Sequence, residues 1–243
     1  MAIVVGTLAV VVASFVKGAI AFGFPTIATP LFALVVDVRT AVAVLILPNL
    51  AMDVVQALRR PGLLSVLRRH AVLYATGIVG TFLGTHWLTT FSDRQAMLVL
   101  GLFVIGFVAF NAARLAPRVK PSWEPYLAGP AGLVAVVMGG ITNAHGTPLV
   151  LYFYALGLDK AEFVRAISLA FIVYKAAQLV AVTQAGIMTL SLFQLSILAT
   201  LLALAAFAAG LRAQDRMNQR VFNRVILSVL SALGVLLVFR ALR

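Results

Sequence analysis

Residues 3–36 read IVVGTLAVVVASFVKGAIAFGFPTIATPLFALVV. An apolar run, Ile3–Phe22, halts at Gly23-Phe24-Pro25, and a shorter apolar piece, Thr26–Val36, follows. A helix needs about 20 apolar residues to cross roughly 30 Å of hydrocarbon. The first piece is long enough, whereas the second, at about 11 residues, cannot cross alone. Backbone that leaves the helix at membrane depth must be buried in protein or line a wet cavity, because lipid satisfies no N–H or C=O group. The stretch therefore predicts a membrane helix broken near its end, or a re-entrant hairpin.

The rest of the chain agrees with a bilayer. Of its 243 residues 63% are hydrophobic and 11% charged, more apolar than a soluble fold can hide. No basic region precedes the first apolar run, so it is read as a retained membrane helix rather than a signal peptide. Absent cysteine excludes disulfide frameworks, zinc–thiolate sites and iron–sulfur clusters. The net charge of +12 does not point to nucleic acid, because the arginines flank apolar spans as they do beside anionic head groups.

Full-length spans are expected at Thr40–Leu58, Ala71–Thr90 and Gln95–Arg114. The polar stretch 117–125 then links a first unit, 1–116, to a second, 126–243. The second unit repeats the plan: Tyr126–Thr142, a break at Asn143-Ala144-His145-Gly146, a short piece Pro148–Leu158, and spans Glu162–Thr183, Leu192–Leu211 and Val221–Leu242. Pro25 lies opposite Pro148, Asp37 opposite Asp159, Asp53 opposite Lys175 and Gln56 opposite Gln178. Gly80–Gly84, GTFLG, matches Ala206–Gly210, AFAAG. The fold class is thus all-α: a polytopic membrane protein of two homologous repeats, each of four to five helical segments with one break.

Arginine placement sets the orientation. The loops with Arg59, Arg60, Arg68 and Arg69, with Arg114, Arg118 and Lys120, and with Arg212, Arg216 and Arg220 should all be cytoplasmic. The first and third fall at different places in their repeats, so both face the cytoplasm only if the repeats are inverted. Both termini then lie outside. A parallel repeat of four crossings per half is the alternative.

The two breaks lead the site search. Gly23, Phe24, Pro25 and Thr26 form the first, and Thr142, Asn143, His145, Gly146, Thr147 and Pro148 the second. Proline is tolerated in a first helical turn, and the free N–H groups there, with the positive helix end, favour an anion. The bland reading is that glycine and proline serve close packing. Ionisable residues inside spans are the second clue, since burying one costs at least about 2.5–3.5 kcal/mol. Lys17, Asp53 and Lys175 qualify. Both lysines could instead snorkel to an interface. Asp53 could pair with a lysine, carry a proton, or pair with Arg59 or Arg60. Asn49 and Gln56 share its face, and Gln178 shares that of Lys175. His145 could bind an anion, titrate as a coupling group, or sit satisfied in a turn.

No nucleophile elbow, phosphate-binding loop or HExxH motif is present, so the chain reads as no enzyme and needs no cofactor or metal. The stretches Ser14–Val44, SFVKGAIAFGFPTIATPLFALVVDVRTAVAV, and Gly129–Val173 resemble the paired signatures of the sulfite exporter TauE/SafE family. The resemblance carries over Gly23, Phe24, Pro25, Gly139, Gly140, Gly146 and Pro148. It implies a multi-pass protein of the cell (inner) membrane that moves a small sulfur-containing or organic anion, such as sulfite, sulfoacetate or another sulfonate. Expected partners are that anion, the lipid bilayer and protons as a coupling ion; a homodimer is compatible. The rival readings are an anion channel and a membrane scaffold without transport.

Overall fold

The computed structural model describes residues 2–33, 35–59, 61–90, 119–142 and 146–221, with 224, 225 and 228 beyond them. Regular structure among these residues is helical: α1 Ala2–Ile20, α2 Phe24–Phe32, α3 Val38–Leu58, α4 Leu63–Arg69, α5 Ala71–Thr90, a 3-10 turn Pro121–Trp123, α6 Glu124–Thr142, α7 Gly146–Ala155, α8 Lys160–Gln184 and α9 Leu190–Arg216. Among them α3, α5, α8 and α9 are long and apolar enough to cross a membrane. The expected span Gln95–Arg114, and Val221–Leu242 apart from a few positions, lie outside the described residues.

The observed ends differ from expectation by a few residues, and capping chemistry explains the starts. Asp37 and Asp159 are N-caps with nearly equal backbone angles, φ −66° and ψ 159° against φ −65° and ψ 162°. Their carboxylates accept from Thr40 N at 2.9 Å and Glu162 N at 2.8 Å, so α3 and α8 begin two residues earlier than hydrophobicity alone suggests. Thr189 caps α9 in the same way. The short helices end early, at Phe32 and Ala155, and the arginine-rich loop after α3 contains α4, which hydrophobicity did not reveal.

Pro48 sits inside α3 and cannot donate to the carbonyl of Val44. The Ser196 hydroxyl on α9 donates to that carbonyl at 2.6 Å instead, meeting a need that lipid could not. The corresponding carbonyl on α8, Ala166, accepts from Tyr74 Oη on α5 at 3.1 Å.

Helix directions follow from which ends meet. Arg59 pairs with Asp215, and Arg165 donates to the Pro61 carbonyl. Arg69 reaches both Glu124 and Glu162, while Lys160 donates to the carbonyls of Gln214 and Met217. One basic face therefore holds the ends of α3 and α9 and the starts of α5, α6 and α8. Arg39, near the start of α3, donates to the Thr89 carbonyl at the end of α5, on the opposite face. α3 and α8 consequently pack antiparallel. α1 packs along α9 in parallel, and α6 along α5 in parallel. These last two contacts are backbone-close: a Cβ on Gly18 would lie 2.4 Å from the Phe207 carbonyl oxygen, and one on Gly132 would lie 2.5 Å from that of Leu73. Only glycine permits such approach.

Large apolar side chains remain exposed along α1 at Val4, Leu8, Val12 and Phe15, and along α9 at Leu190, Leu198 and Leu201. Helical stripes of this kind suit contact with lipid and not with water.

Candidate functional site

The first break is built by backbone that few residues adopt. α1 stops at Ile20; Ala21 takes φ 73° and Gly23 takes φ 98°. Left-handed geometry suits glycine, whereas alanine there is strained. Gly23 caps α2 and puts Pro25 in its first turn, where the missing N–H is no loss. α2 then lies back along α1, so that the Phe32 ring ends 3.3 Å from the position a Cβ on Gly6 would take.

The second break leads into α7 at Gly146, with Pro148 in the first turn. α7 returns along α6: Val119 N donates to the Ala155 carbonyl at 2.9 Å, and Tyr152 Oη to that of Glu124 at 3.5 Å. The breaks meet. A Cβ on Gly146 would lie 3.1 Å from the Phe171 ring and 4.0 Å from Phe22 Cβ.

Beside this meeting point lies a cluster of buried polar side chains. Lys17 Nζ, from the last turn of α1, stands 2.7 Å from Asp53 Oδ1 on α3. It also donates to Asn49 Oδ1 at 3.1 Å, and Asn49 Nδ2 donates to Asp53 Oδ2 at 3.0 Å. The Asp53 Oδ1 contact is an ion pair off the ideal hydrogen-bond direction. The same ammonium lies 4.5 Å from the centre of the Phe171 ring on α8, a cation–π distance. One helical turn along α8, Lys175 Nζ donates to Gln178 Oε1 at 2.6 Å, and it feels the charges of both Lys17 and Asp53. Lys17, Asn49, Asp53, Lys175 and Gln178 are each 0% exposed, so the group is sealed from solvent in this conformation.

Two features set the cluster apart from a structural ion pair. Among the described residues it gathers two lysines and one aspartate, all buried. Several polar atoms also have no hydrogen-bond partner among the described residues: both amide atoms of Gln56, Gln178 Nε2, and the hydroxyls of Ser14 and Ser168. Buried polar atoms are nearly always satisfied, and an unmet one costs roughly 1–3 kcal/mol.

The placement of the sequence candidates is mixed. The structure joins Lys17, Asn49 and Asp53 directly, with Lys175 and Gln178 close by on α8, and carries Gln56 on the same stripe of α3 as Asp53. Asp53 pairs with Lys17 rather than with Arg59, whose partner is Asp215. Gly23, Phe24, Pro25, Thr26 and Gly146 are buried at the breaks, and Pro148 is half-buried. Thr142 ends α6 and Thr147 follows the first residue of α7, while Asn143 and His145 lie outside the described residues. Sequence reasoning missed Phe171, Ser14 and Ser168. Counting back from Lys175 at helical spacing would have found Phe171 and Ser168.

A second charged group lies on the basic face, outside the spans. Arg69 holds Glu124 with two hydrogen bonds, at 3.0 and 2.9 Å, and also reaches Glu162. His70 is buried beneath it, against Phe153 and Tyr74, with Nδ1 3.4 Å from Glu124. Burial pushes the imidazole below its ordinary value of 6.5, so it is neutral.

Lipid-facing helices around an internal polar cluster define a multi-pass helical membrane protein. The family profile of the sulfite exporter TauE/SafE matches residues 6–237, nearly the whole chain, and the protein belongs to that family. It is accordingly a membrane transporter and not an enzyme. Neither a curated protein nor a solved structure matches it.

Proposed function

We propose that the protein is a secondary transporter of the cell (inner) membrane. It carries a small oxoanion, a sulfite or an organic sulfonate, at the cluster formed by Lys17, Lys175, Gln56 and Gln178. The observation that carries this reading is the burial of two lysines beside unmet amide and hydroxyl groups, close to where the two helix breaks meet. An oxoanion supplies several acceptors for N–H donors and one or two negative charges, matching both needs. The N-termini of α2 and α7 approach the same region and add the positive ends of their dipoles.

The two halves act as inverted copies that rock about the site. Supporting this, each matched pair runs in opposite directions: α1 and α6, α3 and α8, α5 and α9. Partners are exchanged between halves as well, with α1 on α9 and α6 on α5. Full burial of the charged side chains favours a carrier over an open channel, which would leave them wetted. α1 then begins on the face opposite the basic loops.

Flux of sulfite or sulfoacetate through proteoliposomes tests the reading. The wild-type protein should transport one of them, and Lys175→Ala should abolish the activity. Unchanged transport by that variant contradicts the role given to Lys175.

A further inference from the structure

The buried ion pair has a consequence for how an anion can enter. Lys17 already has a counter-ion, Asp53, held on both oxygens by the ammonium and by Asn49. An anion that reaches Lys17 therefore comes within a few ångströms of a carboxylate. Two like charges that close repel strongly in a protein interior, where little water screens them. Such repulsion would cancel most of the attraction the lysines offer.

The surroundings give the carboxylate little choice of escape. Asp53 is 0% exposed, so it cannot turn out to water. The charged groups facing it are Lys17 from α1 and Lys175 from α8. α2, also packed on α3, has no ionisable side chain, and those of α9, Arg212, Asp215 and Arg216, lie exposed at its C-terminal end. His145 is outside the described residues. Among the described side chains at this site, Asp53 is the only carboxyl able to take up a proton and so remove the repulsion.

We propose that the anion and the Asp53 carboxylate compete for Lys17, so that each anion bound brings one proton onto Asp53. This rests on the anion site described above and deepens it. The step balances: one proton from water joins a carboxylate oxygen, one sulfonate takes the place of the carboxylate beside the ammonium, and for a monoanion such as methanesulfonate the charge of the cluster is unchanged. Anion and proton then cross together. Release on the far side returns the carboxylate to Lys17 and the proton to water.

Methanesulfonate and sulfoacetate are fully ionised near neutral pH, so a proton taken up on binding must come to the protein. The purified full chain in detergent, in weak buffer with a pH-sensitive dye, is titrated with each. The expected result is uptake of close to one proton per anion bound by the wild type, and binding with no proton uptake by Asp53→Asn. Binding by the wild type with no proton uptake overturns the coupling and leaves the anion site standing. Equal uptake by wild type and Asp53→Asn overturns the assignment to Asp53. Absence of binding by the wild type to either anion overturns the anion site, and the coupling with it.

Discussion

α3 and α8 carry the same stripe in two chemical versions. Asn49, Asp53 and Gln56 on α3 stand opposite Phe171, Lys175 and Gln178 on α8, each pair 122 residues apart. On α3 the stripe meets a lysine from α1 and forms a closed circuit of ammonium, amide and carboxylate. On α8 the carboxylate is replaced by a second ammonium and the amide by an aromatic ring. That ring is the surface against which Lys17 rests. Similar backbones thus carry residues of opposite charge at matching positions, Asp53 on α3 and Lys175 on α8.

The largest effect expected from breaking this comparison is at Lys17. Lys17→Met strips Asp53 of its main partner, and losing one member of a buried pair costs about 3–5 kcal/mol. Its melting temperature in detergent should fall further than that of any other single variant named here. The double variant Lys17→Met/Asp53→Leu should recover most of the loss, because the uncompensated charge is gone. A double variant as unstable as the single one would show that packing, not charge, holds α1 to α3.

The carbonyls of Val44 and Ala166 give a second, smaller contrast. α3 has Pro48 where α8 has Ala170, so only α3 lacks the helical donor for its carbonyl. Ser196→Ala should therefore destabilise the protein by about 1–2 kcal/mol, visible as a lower melting temperature. Tyr74→Phe, which removes the hydroxyl at Ala166, should cost less. Equal losses would mean that Pro48 creates no special need.

The smallest effect lies at the basic face, where the charged pairs are partly wet and each is worth little. His70 is held neutral by burial, with Glu124, Arg69 and Glu162 as its charged neighbours. Its folded value is below the unfolded one of 6.5. The unfolded chain therefore binds the proton first, and this contribution is complete above that pH and lost as pH falls. Melting curves of the wild type should show declining stability under acid, and His70→Phe should show a shallower decline. An equal or steeper decline in the variant would contradict a buried neutral imidazole.

Much of this was legible before any coordinates. Charges inside apolar runs are conspicuous because lipid penalises them, so Lys17, Asp53 and Lys175 stood out. Gly23, Pro25 and Pro148 marked the breaks, since backbone chemistry there is local. The partner of Asp53 was not legible: proximity along α3 favoured Arg59 as much as a lysine from α1, and only tertiary packing decides. Phe171 and Ser168 looked like ordinary members of an apolar helix. Nor could hydrophobicity reveal α4, a seven-residue helix among arginines, or the hydroxyl that Ser196 lends to a distant carbonyl. Such contacts depend on helix order and direction, which the arginine distribution constrained only in outline.

Isothermal titration of the purified protein with sulfite and sulfoacetate, wild type against Lys175→Gln, tests the central claim most directly. Lys175→Gln keeps a hydrogen-bonding side chain, one atom shorter, but removes the ammonium. The wild type is predicted to bind at least one of the two anions, and Lys175→Gln to bind it at least about tenfold more weakly, a loss of some 1.4 kcal/mol, while melting no lower than the wild type. Equal affinity in a variant that melts normally would contradict an anion site that depends on the Lys175 ammonium.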